Sequence, residues 1–330
     1  MGTLLVIGGS GFFGKSILDS FAHGRLEAFG IRRVVALARN ASRLAVEAPA
    51  LVSPAVDLVN EDITSLRELP EADLIIHAAA SSDARRYAAA PEKELANIVD
   101  GATYFCDLVS RTAPKAKLLY CSSGAVYGRQ PGGLEHIPED YAALEAEGRV
   151  DQAKEAYTRG KRQAEAVLRR FAEERSTAVC IARCFAFVGT WLPRDQHFAI
   201  GNFLRDAMEG REITVKAVHP VYRSYMHADD LVGWLLRMTA AASDACPIYN
   251  VGSDEAVEIG ELAAMIGEMC GVPVATPSRR NFRSQDFAPG RVDRYVPSIV
   301  KAQQTLGLRI TYGLRDAIAR TVDSISRTGR

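Results

Sequence analysis

The stretch Tyr157-Thr158-Arg159-Gly160-Lys161 sets a phenol and an ammonium four positions apart. On a helix such a pair shares one face. A free tyrosine, with a pKa of about 10, is a poor base near neutrality. A neighbouring cation stabilises the phenolate and lowers that value. A phenol tuned in this way can exchange the proton of a carbinol while hydride moves to or from a nicotinamide ring. Alone the pair is a weak signal, because the spacing occurs by chance in many helices. Upstream, the apolar run Lys117 to Cys121 leads into Ser122-Ser123-Gly124-Ala125-Val126-Tyr127-Gly128. A serine at such a strand end can hold a substrate oxygen, so Ser123, with Gly124 beside it, joins Tyr157 and Lys161 as a candidate.

A third constellation strengthens the first two. After the apolar run Leu4 to Ile7 comes Gly8-Gly9-Ser10-Gly11-Phe12-Phe13-Gly14, which has glycines in register at 8, 11 and 14. In a dinucleotide loop the first glycine permits a tight turn, the second lets the backbone approach a pyrophosphate, and the third lets the next helix pack closely. The helix N-terminus adds N–H donors and a positive dipole end. A strand-to-helix position is the context that gives the glycines meaning. Gly8, Gly11, Phe12, Phe13 and Gly14 are therefore expected to cradle a dinucleotide.

Which dinucleotide turns on the end of the second strand, Leu37-Ala38-Arg39-Asn40. NAD binders carry an acid there for the ribose, and this chain has none. Arg39 instead suits a 2′-phosphate, so NADP(H) is favoured over NAD(H). The alternative is a solvated arginine. Asp62, ahead of Ile63, either reaches the adenine or caps the segment that follows it.

These groups need a scaffold. Apolar runs at Leu4–Ile7, Val34–Ala38, Leu74–Ala80, Lys117–Cys121 and Thr177–Phe185 alternate with helical patterns at Lys15–Ala22, Glu92–Arg111 and Tyr157–Glu174. Alternating strands and helices predict an α/β, Rossmann-type, doubly wound parallel sheet. From about residue 190 turn residues multiply, and helical patches recur at Phe198–Met208, Leu231–Ala241 and Ile259–Cys270. A dinucleotide-binding domain over 1–190 and a smaller mixed α/β substrate lobe over 191–330 are expected, with the chain crossing between them. The length of 330 residues fits about two domains at roughly 150 each.

Composition narrows the partners. With 40 basic and 40 acidic residues the formal net charge is zero. Bulk attraction to nucleic acid or an anionic membrane is thus excluded. No apolar run approaches the ~18 residues of a membrane span. The N-terminal stretch runs into glycines and not into a signal-peptide cleavage site. Among the 6 cysteines no pair has CxxC spacing, and several sit in apolar runs. Free buried thiols suit a reducing, cytoplasmic setting, and no metal site is expected.

Together the motifs resemble an extended short-chain dehydrogenase/reductase, the NAD-dependent epimerase/dehydratase family of nucleotide-sugar enzymes. Besides Gly8–Gly14, Ser122–Gly128 and Tyr157–Lys161, the resemblance rests on Asp62-Ile63, His77-Ala78-Ala79-Ala80, Asn97 to Gly101, Arg183 to Gly189, Arg223 to Asp230, Tyr249 to Gly252, Pro289-Gly290-Arg291, and Lys301-Ala302 with Leu306-Gly307. It implies Tyr157 as acid/base, Lys161 as its tuner and ribose ligand, and Ser123 at the reacting oxygen. It implies Ala78 and Ala79 against the cofactor, with Ile63 near it, and Asn97 as a support of the site. Arg223 and Arg291 would grip the substrate diphosphate, or else form surface ion pairs. Where the family usually has Asn, Ala186 stands, so that contact is lost or moves to Asn202. Gly124 and Ala125 replace the acidic pair of the dehydratases, which argues against 4,6-dehydration. The stretch between Tyr127 and Tyr157 is long and charged, with Glu135, Glu139, Asp140, Glu145 and Glu147, and reads as a lid or a solvated insertion.

The function expected is hydride transfer on a nucleotide-diphosphate sugar. Reduction of a 4-keto-6-deoxy sugar nucleotide is slightly preferred to 4-epimerisation. A cofactor-binding regulator without turnover is opposed by the intact Tyr157 and Lys161. Reduction of a non-nucleotide ketone is opposed by the two arginines. The family also implies a homodimer through the helices near Asn97–Arg111 and Tyr157–Glu174.

Overall fold

The computed structural model describes residues 2–79, 84–142, 151–196, 198–277 and 292–328. Its strands are β1 (Gly2–Ile7), β2 (Ile31–Ala38), β3 (Val56–Asn60), β4 (Leu74–His77), β5 (Lys117–Ser123), β6 (Val179–Cys184), β7 (Phe187–Val188), β8 (Ile213–Thr214), β9 (Val221–Arg223), β10 (Met226–His227), β11 (Ile248–Val251), β12 (Val257–Glu258), β13 (Val274–Ala275) and β14 (Asp293–Tyr295). Its helices are α1 (Phe12–Ala22), α2 (Leu44–Glu47), α3 (Ala84–Ala89), α4 (Pro91–Thr112), α5 (Gln152–Arg175), α6 (Ala199–Met208), α7 (Ala228–Ala240), α8 (Ile259–Cys270), α9 (Val300–Leu306) and α10 (Leu314–Thr328).

Seven strands form one sheet in the order β11-β6-β5-β4-β1-β2-β3, and every pairing is parallel. Leu4–Ile7 and Leu118–Cys121 are buried, as expected of strands covered on both faces. One apolar layer joins α1 and α7 to the sheet through Leu4, Val6, Ile17, Leu235 and Trp234. The other joins α4 and α5 through Leu5, Ile7, Phe105, Leu108 and Leu168. The strand order reverses between β1 and β4, and a crevice opens at their C-terminal ends.

The doubly wound sheet is thus the one anticipated. Two of its strands carry no strong sequence signal, namely the edge strand β3 and the strand β11 from the second half. The chain after 190 divides its allegiance. Phe203, Leu204, Ile213, Tyr225, Leu262, Ile266 and Ile318 build a separate core from α6, α8 and α10. In contrast, α7, β11 and α9 return to the main sheet and its core. The stretch expected to be irregular, Thr276 to Arg294, ends in β14, which pairs parallel with β9.

Glycines set two close approaches. Gly8 has φ +93°, and a Cβ there would lie 2.8 Å from Ala79 N. A Cβ at Gly14 would lie 2.3 Å from Gly9 O, so α1 reaches the loop only without a side chain. Gly14→Ala is expected to destabilise the protein by about 1–3 kcal/mol through overpacking. Gly101→Ala, mid-helix with no heavy atom within 4 Å of the new carbon, is expected to stabilise by about 0.5–1 kcal/mol. Urea denaturation of both variants checks the contrast.

Candidate active site

The glycine loop after β1 closes on the end of β2. Gly8 N and Gly9 N both donate to Leu37 O, at 2.8 and 3.1 Å, and Gly11 N donates to Gly8 O at 3.0 Å. Gly11 is the N-cap of α1 and brings no side-chain acceptor, so the first-turn N–H groups stay open to a ligand. Gly11 is exposed, and a Cβ there would meet only Gly8 O, at 3.3 Å. A pyrophosphate fits this loop. Phe12 and Phe13 lean on Phe187, their centroids 6.4 and 5.3 Å from its ring, and so brace the loop against β7.

Around this crevice the other candidates fall into different classes. Ala78 and Ala79 follow β4, and the Ala78 N–H donates to Ile7 O at 2.8 Å beside the glycine turn. Ala80 lies outside the described residues. Asp62 caps a short 3-10 turn, accepting from Thr64 N at 3.0 Å. Those bonds to Thr64, with Arg39 nearby, hold its carboxyl below the usual range despite some desolvation. Ile63 packs on the sheet. Arg39 is 68% exposed, 4.0 Å from Asp62.

The reacting groups are set by α5. Its Lys161 is 1% exposed, and its Nζ donates to Cys121 O at 3.0 Å and to the Tyr120 hydroxyl at 3.4 Å. Thr158 Oγ1 donates to Ala125 O at 3.1 Å, and Arg162 Nε to Val126 O at 2.7 Å. One face of α5 is thereby fixed along the segment that carries Ser123. Tyr157, on the same face as Lys161, meets the buried Tyr87 of α3 edge-on at 5.2 Å. Ser123 Oγ accepts from Ala125 N at 3.1 Å.

A polar network lies beneath. Ser122 Oγ donates to Glu165 Oε1 at 2.6 Å, and Arg183 Nη2 donates to Glu165 Oε2 at 2.8 Å. Arg183 Nη1 donates to the Tyr127 hydroxyl at 2.9 Å and to Glu139 O at 3.1 Å. Tyr127 donates to Asn250 Oδ1 at 2.7 Å. Burial works against the Arg183 charge, but Glu165 and Tyr127 outweigh it and raise its pKa. Burial pushes the Tyr127 phenol up to about 12.

Asn97 is exposed on α4, and its amide donates to Glu94 at 3.4 Å. The helical period turns Ile98 inward instead, where its Cδ1 would lie 3.0 Å from a Cβ at Gly160. Arg223 is held by Asp293 at 3.2 Å, the ion-pair alternative. Glu139, placed in the charged stretch, is an anchor and not solvated, since its Oε1 accepts from Asn250 N at 2.9 Å. Asn202 sits half-buried on α6. Arg291, and Glu145 and Glu147, lie outside the described residues. Among the described residues no metal-holding cluster occurs, and no helix is long and apolar enough to cross a membrane.

Sequence reasoning missed two tyrosines at the site. Tyr87 gave no signal, standing in Arg85-Arg86-Tyr87 without apolar periodicity. Tyr295 stands just past the stretch read as irregular, Thr276 to Arg294, and gave no signal either. A Cβ at Gly124 would come 2.6 Å from the Tyr295 hydroxyl and 2.7 Å from the Phe185 ring.

Known proteins share features of this chain's sequence and fold. Residues 4–252 match the model of the NAD dependent epimerase/dehydratase family. UDP-glucuronic acid decarboxylase 3 of Arabidopsis thaliana is 26% identical over 96% of this chain and 86% of its own length. In fold the chain is similar to UDP-glucose 4-epimerase of Thermotoga maritima, solved with UDP-glucose (TM-score 0.78, 18% identity, 99% of this chain and 100% of that one). It is also similar to a dTDP-glucose 4,6-dehydratase of Streptomyces venezuelae, solved with NAD (TM-score 0.79, 22% identity, 98% and 97%).

His77, next to this site, yields a test. Neither ring nitrogen finds a hydrogen-bond partner among the described residues, and burial, then Lys161, holds its pKa down to about 3. The unfolded chain takes up that proton near pH 6.5 while the folded one resists, so stability falls as pH drops through 6.5 toward 3. His77→Leu is expected to remove that component, roughly 2 kcal/mol at pH 5. Denaturation midpoints of both proteins at pH 5 and pH 8 measure it, and parallel slopes would exclude His77.

Proposed function

Because the chain belongs to the NAD dependent epimerase/dehydratase family and is an enzyme of the extended short-chain dehydrogenase/reductase type, we propose that it interconverts a carbinol and a carbonyl on the sugar ring of a nucleotide-diphosphate sugar. The observation that carries this is the seating of Tyr157 and Lys161 on the segment that bears Ser123, at the C-terminal edge beside the glycine loop. A dinucleotide held by Gly8, Gly11 and the α1 N-terminus supplies the hydride donor or acceptor. Tyr157 gives or takes the proton of the sugar oxygen. Lys161, fixed on the same helix face by Cys121 O, brings a cation to the position one helical turn beyond the phenol. Ser123 holds the same oxygen. UDP-sugars are the first substrates to examine, since the relatives' names include UDP-glucuronic acid and UDP-glucose.

Dehydration is disfavoured. Elimination of water needs an acid besides the tyrosine, and the space at Gly124 is filled by Tyr295 and Phe185. Net reduction of a 4-keto-6-deoxy sugar nucleotide is the preferred form. Arg39 supports it, because the end of β2 offers a guanidinium and no acid to the adenosine ribose, as NADP(H) requires. Epimerisation, in which hydride returns to the same sugar, uses the same three groups and is the second reading. The fold neighbour solved with NAD supports that cofactor for it. The exposed faces of α4 and α5 offer the surface for a homodimer, and cysteines without disulfide partners fit a cytoplasmic setting.

Tyr157→Phe is expected to bind cofactor normally and lose turnover by about 10² to 10⁴-fold. Cofactor titration and kcat on a panel of sugar nucleotides, followed at 340 nm, test this. A variant that keeps most of its turnover would remove Tyr157 from the reaction.

Arg39→Ala is expected to weaken NADPH binding by about 10- to 100-fold, the loss of charge-assisted hydrogen bonds of roughly 1.5–3 kcal/mol. NADH binding should hardly change. Equal losses for both cofactors in fluorescence titrations would show that Arg39 does not read a phosphate.

A further inference from the structure

The charge of Lys161 is met by neutral oxygens. The residue is 1% exposed, and among the described residues its ammonium bonds to Cys121 O at 3.0 Å and to the Tyr120 hydroxyl at 3.4 Å. Glu165, one turn further along α5, is engaged by Ser122 and Arg183. A buried charge without a counter-ion is costly, so each acceptor it does have matters. One of the two is main chain. The other is a side chain that the core does not require as a phenol. Tyr120 is 2% exposed, in the apolar layer with Phe105 and Leu108. A phenylalanine would present the same ring there without burying a hydroxyl.

We propose that Tyr120 is a positioning residue of the reaction: its hydroxyl fixes the Lys161 ammonium, and through it the electrostatic setting of Tyr157, one helical turn away. The proposal rests on the reading of Ser123, Tyr157 and Lys161 as the reacting centre.

The titratable groups packed around the pair are neutral or already engaged. On β4, His77 lies 5.3 Å from the Tyr120 ring, and burial, then Lys161, holds its pKa down to about 3. On α4, burial pushes the Cys106 thiol up to about 12, and on β6 burial raises Cys184. Burial raises Tyr87 of α3 as well. Tyr120 itself is raised by burial and then by Glu165, so it stays a neutral phenol whose oxygen can accept from the ammonium. Its ring stands 4.8 Å from Lys161 Nζ, a cation–π contact that phenylalanine would keep. The hydroxyl is thus the separable part of the interaction. Sealed in the core, Tyr120 acts through Lys161 and does not touch substrate.

Tyr120→Phe removes the hydroxyl and keeps the ring. Urea denaturation reads the pairing. With Lys161 in place, the substitution leaves the ammonium one acceptor short and lowers the midpoint. In a Lys161→Met background the hydroxyl is the group without a partner, and the same substitution leaves the midpoint unchanged or raises it. Turnover reads the positioning. The probes are UDP-glucose, dTDP-glucose and UDP-glucuronic acid, each with NAD and with NADP, the sugar nucleotides being separated by chromatography. In Tyr120→Phe kcat falls by about 3- to 10-fold, as for loss of one hydrogen bond, while KM and cofactor affinity stay unchanged. A merely structural defect would not produce that split. Equal midpoint changes in the two backgrounds overturn the pairing, and the proposal with it. An unchanged kcat, or a fall in kcat matched by a rise in KM, overturns the positioning role while Tyr157 and Lys161 keep theirs. A wild-type protein that turns over none of the probes overturns the nucleotide-sugar reading, and this proposal falls with it.

Discussion

Everything at the site depends on how α5 is seated on the end of β5. Three side chains of one helix face, Thr158, Lys161 and Arg162, donate to three carbonyls of the segment 121–126. A buried carboxylate on the same helix, Glu165, takes bonds from Ser122 and Arg183. Such a seat fixes both rotation and translation of the helix. The position of the Tyr157 phenol relative to Ser123 is then set by backbone geometry and not by loop preference. The buried Arg183–Glu165 pair need not add net stability, since desolvation opposes it. Its value is in registry: with either partner absent, the other is an uncompensated charge under the reacting groups.

Close contact on the other side of α5 is needed as well. Gly160 lets α4 approach closely, since a Cβ there would lie 3.0 Å from Ile98 Cδ1, and the apolar layer of Phe105, Leu108 and Leu168 closes over it. The helix is held between main-chain acceptors on one side and hydrocarbon on the other. Lys161 can afford burial only because acceptors and the Tyr120 ring, 4.8 Å from its ammonium, meet it there. The same charge presses on His77, so a residue that reads as a core histidine is tied electrically to the site.

The sequence made legible those parts that local rules determine. Gly8 and Gly14 are required by backbone approach, and they stand where the spacing put them. Tyr157 and Lys161 follow from helical period, and the alternation of apolar runs implies a parallel sheet. What stayed hidden depends on long-range pairing. β3, with Asp57 and Asn60 among its apolar residues, lies at an edge and reads as a loop. β11 is short and joins the sheet from across the second half. Tyr295 reaches Gly124 only because β14 adds to β9, a contact no local pattern encodes. Glu139 looked solvated by composition, yet its carboxylate and carbonyl both serve the network around Asn250.

The two halves of the crevice are built to different standards. The glycine loop is closed by main-chain bonds and the α5 seat by side-chain donors on the carbonyls of the segment 121–126, and together they form a fixed frame. The facing wall comes from β9 and β14, a three-stranded sheet completed by β12. There the cation Arg223 is engaged by Asp293, half-exposed at 46%. A partly exposed pair of this kind contributes little stability, so Asp293 neutralises Arg223 without anchoring the sheet that bears it. This wall is therefore held by exposed contacts, and the frame that carries Tyr157 and Ser123 is held by buried ones.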